Sequence, residues 1–225
     1  MFLSNFSDVS QLRNQWADHR DVAIQHISAC SNAVQEITYL AGTAQEQFES
    51  NWEVLDDDPT VVDSSSTNTY TAMNNNDDLI GSSHYNPLAR ATSRARATCR
   101  RTRDKEHQKL IKSLQSMTEI VSQLIEIYNK SKAEYHTLLS QDKSWETCKI
   151  GLTWCYTDAL HVLHTVVESY RTELCLKACI VDDVLKQTEV DVLLAYVATF
   201  LSEPYIDENA IFASLEAAKY DLSNK

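Results

Sequence analysis

Between Leu88 and Ile150 the chain carries neither glycine nor proline. Inside that stretch Leu110, Leu114, Met117, Val121, Leu124, Tyr128, Ser131, Tyr135 and Leu138 recur in steps of four and three. A backbone without breakers and with a seam of that period has one regular solution, an α-helix with an apolar stripe. Ile111, Ile120, Ile125, Ile127 and Leu139 widen the stripe beyond the two-in-seven of a plain dimeric coiled coil, so it suits more than one neighbouring helix. A helix of about 45 residues, about 65–70 Å long, is expected. That length outruns a compact domain of this size, so something, from this chain or another, must lie along it.

Only three Gly and three Pro occur in 225 residues, which leaves little material for hairpins or phosphate-cradling loops. An all-α fold is therefore expected, built of long antiparallel coiled-coil-like helices plus a small C-terminal helical module. Between Leu12 and Ala41, Trp16, Ala23, Ile27, Cys30, Val34, Ile37 and Ala41 form a second seam, interrupted by Arg20. Asp8 with Gln11 resembles a capping box that starts this helix, which is expected to continue to about Trp52. Packing into its own bundle and coiled-coil pairing with another chain fit the seam equally well.

Four segments follow: an N-terminal long helix over 1–55, a disordered polar linker over 56–87, a basic segment with the long central helix over 88–150, and the C-terminal module over 151–225. The linker is low in complexity and holds two of the three prolines, so it buries too little apolar surface to offset its ordering entropy. The chain has 32 acidic and 20 basic residues, a net charge of −12, yet Leu88–Ser113 holds nine Arg or Lys against two acids, leaving −19 on the remainder. Arg94, Arg96, Arg100, Arg101 and Arg103 in that segment read as a nuclear-import signal, as a phosphate-contacting arm, or as a solvated helix face or a complement to the acidic linker. No aromatic residue is interleaved among them, as single-strand binding would require, and direct nucleic-acid binding is not expected.

The N-terminus lacks the pattern of a secretory signal, and no run of about 18 apolar residues exists for a membrane span. A soluble intracellular protein is expected, with Cys30, Cys99, Cys148, Cys155, Cys175 and Cys179 as reduced, buried thiols. Cys155, His161, His164, Cys175 and Cys179 could supply zinc ligands, but all fall within predicted helix or its first turn, whereas structural zinc ligands come in close pairs from short loops. Gly42, Gly81 and Gly151 are isolated, so no dinucleotide or P-loop motif exists. No catalytic constellation, cofactor or metal is expected.

The last part, Tyr156–Tyr205, reads as a docking module. Ala159, Leu163, Val166, Tyr170, Leu174, Val181 and Val184 form one helical stripe, and Val190, Leu194, Val197 and Leu201 another. Trp145 and Trp154 precede it as packed anchors of a hinge. Thr188 with Asp191 resembles a capping box, Pro204 ends the second helix, and Asp207 can cap a last helix bearing Ile211, Leu215 and Leu222. Within Glu168–Asp207, Tyr170-Arg171, Glu173-Leu174, Leu176-Lys177, Leu194 with Tyr196, and Pro204-Tyr205 resemble the C-terminal signature of the cyclin-dependent-kinase-2-interacting protein family. The helix around Trp16, LRNQWADHRDVA, is similar to that family's first helix. Phe200 stands where the family has Trp, and Glu203 precedes Pro204 where an uncharged amide is usual.

The resemblance implies a non-enzymatic adaptor in the nucleus or nucleolus, with some in the cytoplasm. Such an adaptor pairs with a second small helical protein, docks on an AAA+ ATPase complex in large-ribosomal-subunit maturation, and links to cyclin-dependent kinase and DNA replication. On that reading Trp16, Ile27, Val34, Leu114, Val121, Leu124 and Tyr128 engage the helical partner, while Tyr170, Arg171, Lys177, Tyr196, Phe200, Pro204 and Tyr205 form or support the C-terminal docking surface. Packing within the module is the other reading of the aromatic residues. A structural coiled-coil subunit of a kinetochore, spindle or vesicle-tethering complex is the competing class.

Overall fold

The computed structural model describes residues 2–53 and 87–223. Its helices are α1 (Phe2–Glu53), α2 (Pro87–Gln141), α3 (Tyr156–Asp183), α4 (Val190–Ser202) and α5 (Glu208–Ser223), with one 3₁₀ turn, Lys143–Glu146. Among the described residues there is no strand, only an isolated bridge between Lys149 and Cys155. The all-α class expected from the sequence holds; the expected linker lies almost wholly outside the described residues.

The two long helices exceed their expected lengths. The basic segment is continuous with the central helix, so α2 has 55 residues, about 80 Å. It opens at Pro87, whose missing N–H and fixed φ suit a first turn. α1 has 52 residues and begins at Phe2, so the Asp8–Gln11 capping box does not start it. Phe6, Val9 and Leu12 are buried, and their packing carries the helix past that local signal.

Cross-contacts set the directions. Asn5 donates to the Ser131 hydroxyl at 2.8 Å, His26 Nδ1 lies 2.8 Å from Glu106, and the Cys30 thiol donates to the Arg103 carbonyl at 3.6 Å, so α1 and α2 are antiparallel. α3 runs back along α2, with Tyr135 stacked on Tyr156 at 5.2 Å and His107 Nε2 3.0 Å from the Val181 carbonyl. What lies along the central helix thus comes from this chain. Beyond the Cys30–Arg103 level α1 and α2 continue as a two-helix arm. α4 packs on α1 from Trp16 and Arg20 toward Ile27, and α5 packs on it nearer its start, around Phe6, Val9 and Arg13.

Two apolar clusters follow. One joins Phe6, Val9, Trp16, Leu124, Leu163, Tyr170, Ile211 and Leu215; the other joins Ala23, Ile27, Leu110, Ile180, Val184, Leu193 and Phe200. The residues assigned to the C-terminal module therefore share their core with the long helices. The hinge is held from α5: buried Asp221 accepts from the Thr153 amide at 2.8 Å, its hydroxyl at 2.7 Å and the Trp154 amide at 3.1 Å. Gly151 permits this approach, since a Cβ there would stand 2.0 Å from the Asp221 carboxylate. Trp145 and Trp154 are half-buried against the first cluster.

Candidate docking site

The seam of α3 explains the site. Val166, Tyr170, Ile180 and Val184 are buried, and the same steps of four and three pass through Glu173 and Lys177, both fully buried. Leu174, expected on the stripe, is only partly buried beside it. Two charges thus hold core positions, and a buried charge is tolerated only when paired and hydrogen-bonded.

The pairing is supplied by the end of α4. Lys177 Nζ donates to the Phe200 carbonyl at 2.7 Å, stands 3.2 Å from Glu173 and 3.3 Å from Glu203, and lies 4.1 Å from the centre of the Phe200 ring. Glu203 also accepts from the Trp16 indole at 2.8 Å and from Arg20 at 3.1 Å. Two cations therefore meet two carboxylates in a neutral clasp joining α1, α3 and α4. Arg20, which interrupts the first seam in the sequence, is there to reach Glu203.

Glu203 has φ 47°, the one non-glycine residue in the left-handed region among those described. That conformation ends α4 and is usually left to Gly or Asn. Glycine there would remove the strain but also the carboxylate that Trp16, Arg20 and Lys177 share. Directly after it Glu173 accepts from the Tyr205 amide at 3.2 Å, which fixes the backbone that turns Pro204 and Tyr205 outward. Both are exposed.

Helix α4 itself corrects a sequence expectation. Val190, Leu194 and Leu201 face solvent, at 47, 57 and 59% exposure, while Leu193 and Phe200 are the residues buried inside. The helix is apolar on two sides, and periodicity alone does not say which side faces the core. It starts from Glu189, one residue after the expected Thr188, without a side-chain cap. Tyr196 donates to Asp183, and this bond first, then that from Gln187, holds the Asp183 carboxyl below its usual range. Asp207 caps α5 as expected, accepting from the Ala210 amide at 2.9 Å.

The sequence-selected partner residues separate accordingly. Trp16, Ile27, Val34, Val121, Leu124, Tyr170, Lys177 and Phe200 are buried within this chain. Leu114, Tyr128 and Tyr196 are half-buried against its core. Arg171, Pro204 and Tyr205 are exposed. Trp16 meets the Tyr170 ring edge-on at 5.0 Å, so this aromatic pair is internal packing. Burial above all, with the Glu208 and Glu203 carboxylates, pushes the Tyr170 phenol up. The sequence selection missed Glu173, Glu203 and Arg20; the signal for Glu173 and Lys177 was the unbroken spacing of the α3 seam.

The clasp has no open chemistry. Lys177 is enclosed, and it lines neither the groove of about 280 Å³ between α3 and α5 nor the polar one of about 350 Å³ between α1 and α2. Among the described residues no three His, Cys, Asp or Glu side chains are placed to hold a metal. All six cysteines are free; of the six expected to be buried, Cys30 and Cys99 are, Cys148 and Cys155 are half-buried, and Cys175 and Cys179 are exposed on α3. Of the import-segment residues, Arg94, Arg100 and Arg101 are exposed, Arg96 is half-buried, and half-buried Arg103 pairs with Asp104 at 2.6 Å. No described helix is long and apolar enough to cross a membrane. No protein-family model matches the chain, and no curated protein matches it either.

Proposed function

We propose that this chain is a non-enzymatic adaptor that docks on an AAA+ ATPase assembly through the outer face of α4 and the Pro204-Tyr205 turn. The observation that carries the reading is the unpartnered apolar side of α4. Val190, Leu194, Ala198 and Leu201 fall on one exposed stripe, closed by exposed Tyr205. A helix apolar on nearly all sides is usually buried on all sides, and the described residues of this chain bury only the side bearing Leu193 and Phe200. Each leucine transferred from water contributes about 1.5–3 kcal/mol, enough for a few such residues to anchor an interface.

The family resemblance supplies the occupant and setting: an ATPase complex of large-ribosomal-subunit maturation and genome maintenance, in the nucleus. The small helical partner takes the two-helix arm, where no third helix of the described chain covers α1 and α2. The clasp's role is to hold Glu203, Pro204 and Tyr205 in register beneath the ATPase. Affinity purification of wild-type protein and a Leu194→Asp, Leu201→Asp double variant tests this. Recovery of an AAA+ ATPase with wild type, lost in the variant at unchanged helicity, is expected. Equal recovery by both proteins, or recovery only of spindle or membrane-tether subunits, overturns it.

A further inference from the structure

Helix α2 carries a line of cations that neither the fold nor the docking face uses. At about 100° per residue, Arg94, Arg101, Lys105 and Lys112 fall within an arc of about 40°, all four exposed. Arg90 continues the line toward the start of the helix and is exposed as well. Arg94, Arg101, Lys105 and Lys112 make no ion pair with any described residue. The residues facing α1, among them Cys99, Glu106 and Leu110, lie on the opposite side, and His107 marks the side facing α3. The line therefore forms the outer ridge of α2, running from the two-helix arm onto the bundle. The first acid on it is Glu119, two turns beyond Lys112.

We propose that this ridge is a binding site for the phosphate backbone of duplex nucleic acid. Four unpaired cations on a rigid helix, about 27 Å from first to last, present charge at spacings of about 6–10 Å. The rest of the chain is net acidic, so this segment is where the sequence concentrates the positive charge that attracts a polyanion. An acidic protein partner is the other polyanion, but stable protein interfaces need apolar anchors at their centre. Between Arg90 and Lys112 no large apolar side chain is exposed among the described residues; Ala97 and Gln108 fill the gaps. Charge without apolar anchors is what sequence-independent backbone contact uses. Nor does a duplex need the interleaved aromatic residues that single strands do. The ridge is separate from the α4 face, so the proposal stands or falls independently of the ATPase-docking reading.

Fluorescence anisotropy of the full chain with labelled duplex RNA, duplex DNA, single strands of the same sequences, and polyglutamate tests the ridge. Duplex binding is expected to weaken about 100-fold between about 50 and 200 mM salt, the dependence for four neutralised phosphates. The Arg94→Glu, Arg101→Glu, Lys105→Glu variant should lose at least tenfold affinity at unchanged melting temperature, whereas Lys186→Glu, in the turn after α3, should not. Preference for RNA or for DNA identifies the source and supports the site in either case. Absence of duplex binding at low salt, binding unaltered by the triple reversal, or polyglutamate bound in place of duplex overturns it.

Discussion

Around Lys177 the charges are inside and the apolar side chains outside, whereas along Arg94–Lys112 the charges are outside and the apolar side chains are turned inward. The clasp places Lys177, Glu173 and Glu203 in the core while Leu194, Leu201 and Tyr205 meet solvent. The ridge places four cations in solvent over a seam of Cys99, Leu110 and Met117 that faces inward. Both regions are helical with the same period, so the difference lies in what each helix is packed against. A buried charge acts on stability and position; an exposed one acts on association and its salt dependence.

The strongest way to break that contrast is to neutralise one cation in each region. Lys177→Met leaves Glu173 and Glu203 facing each other in the core, and a loss of about 3–5 kcal/mol is expected in urea denaturation. Arg101→Met should stay within about 0.5 kcal/mol. Equal effects would mean that the clasp is solvated.

A smaller loss sharpens the role of the left-handed cap. Glu203→Gly relieves about 1 kcal/mol of backbone strain, but it removes charge-assisted bonds from Trp16 and Arg20 worth about 1.5–3 kcal/mol each. A net loss of about 2–5 kcal/mol in the same denaturation follows, and a gain would show that the carboxylate is dispensable. On the outer face of α4, Leu194→Ser should leave the melting temperature of the free chain nearly unchanged, because its side chain is 57% exposed. A large drop would place that face inside the free protein.

The smallest expected effect is acid dependence. Burial pushes the Asp221 carboxyl up, but the bonds from Thr153 and the Trp154 and Leu152 amides together hold it below its usual range. A depressed carboxyl contributes stability above its unfolded pKa of about 3.9, and that contribution disappears as pH falls through the folded value. The gap in urea midpoint between wild type and Asp221→Asn should be constant above about pH 5 and close as the pH is lowered further. The ridge cations keep their charge throughout that window, so duplex binding should not follow it.

Much of the architecture was legible in residue order. The scarcity of Gly and Pro and the unbroken seams of α1 and α2 were enough for long helices, because helix periodicity is a local property. Asp207 as the cap of α5 was legible for the same reason. The site was less so. Trp16 and Phe200 stood out as aromatic anchors, but an anchor for the core and one for a partner look alike in sequence.

What the sequence determined by itself is the helical class, the long central helix, its basic segment and the apolar character of α4. Only the tertiary structure decided that α1 and α3 cover the central seam, that Glu173 and Lys177 are core residues, and which side of α4 is left open. Each of those outcomes depends on residues far apart in the chain, such as Trp16 with Glu203. Local pattern sets which faces are apolar, but only the meeting of those faces decides which are buried.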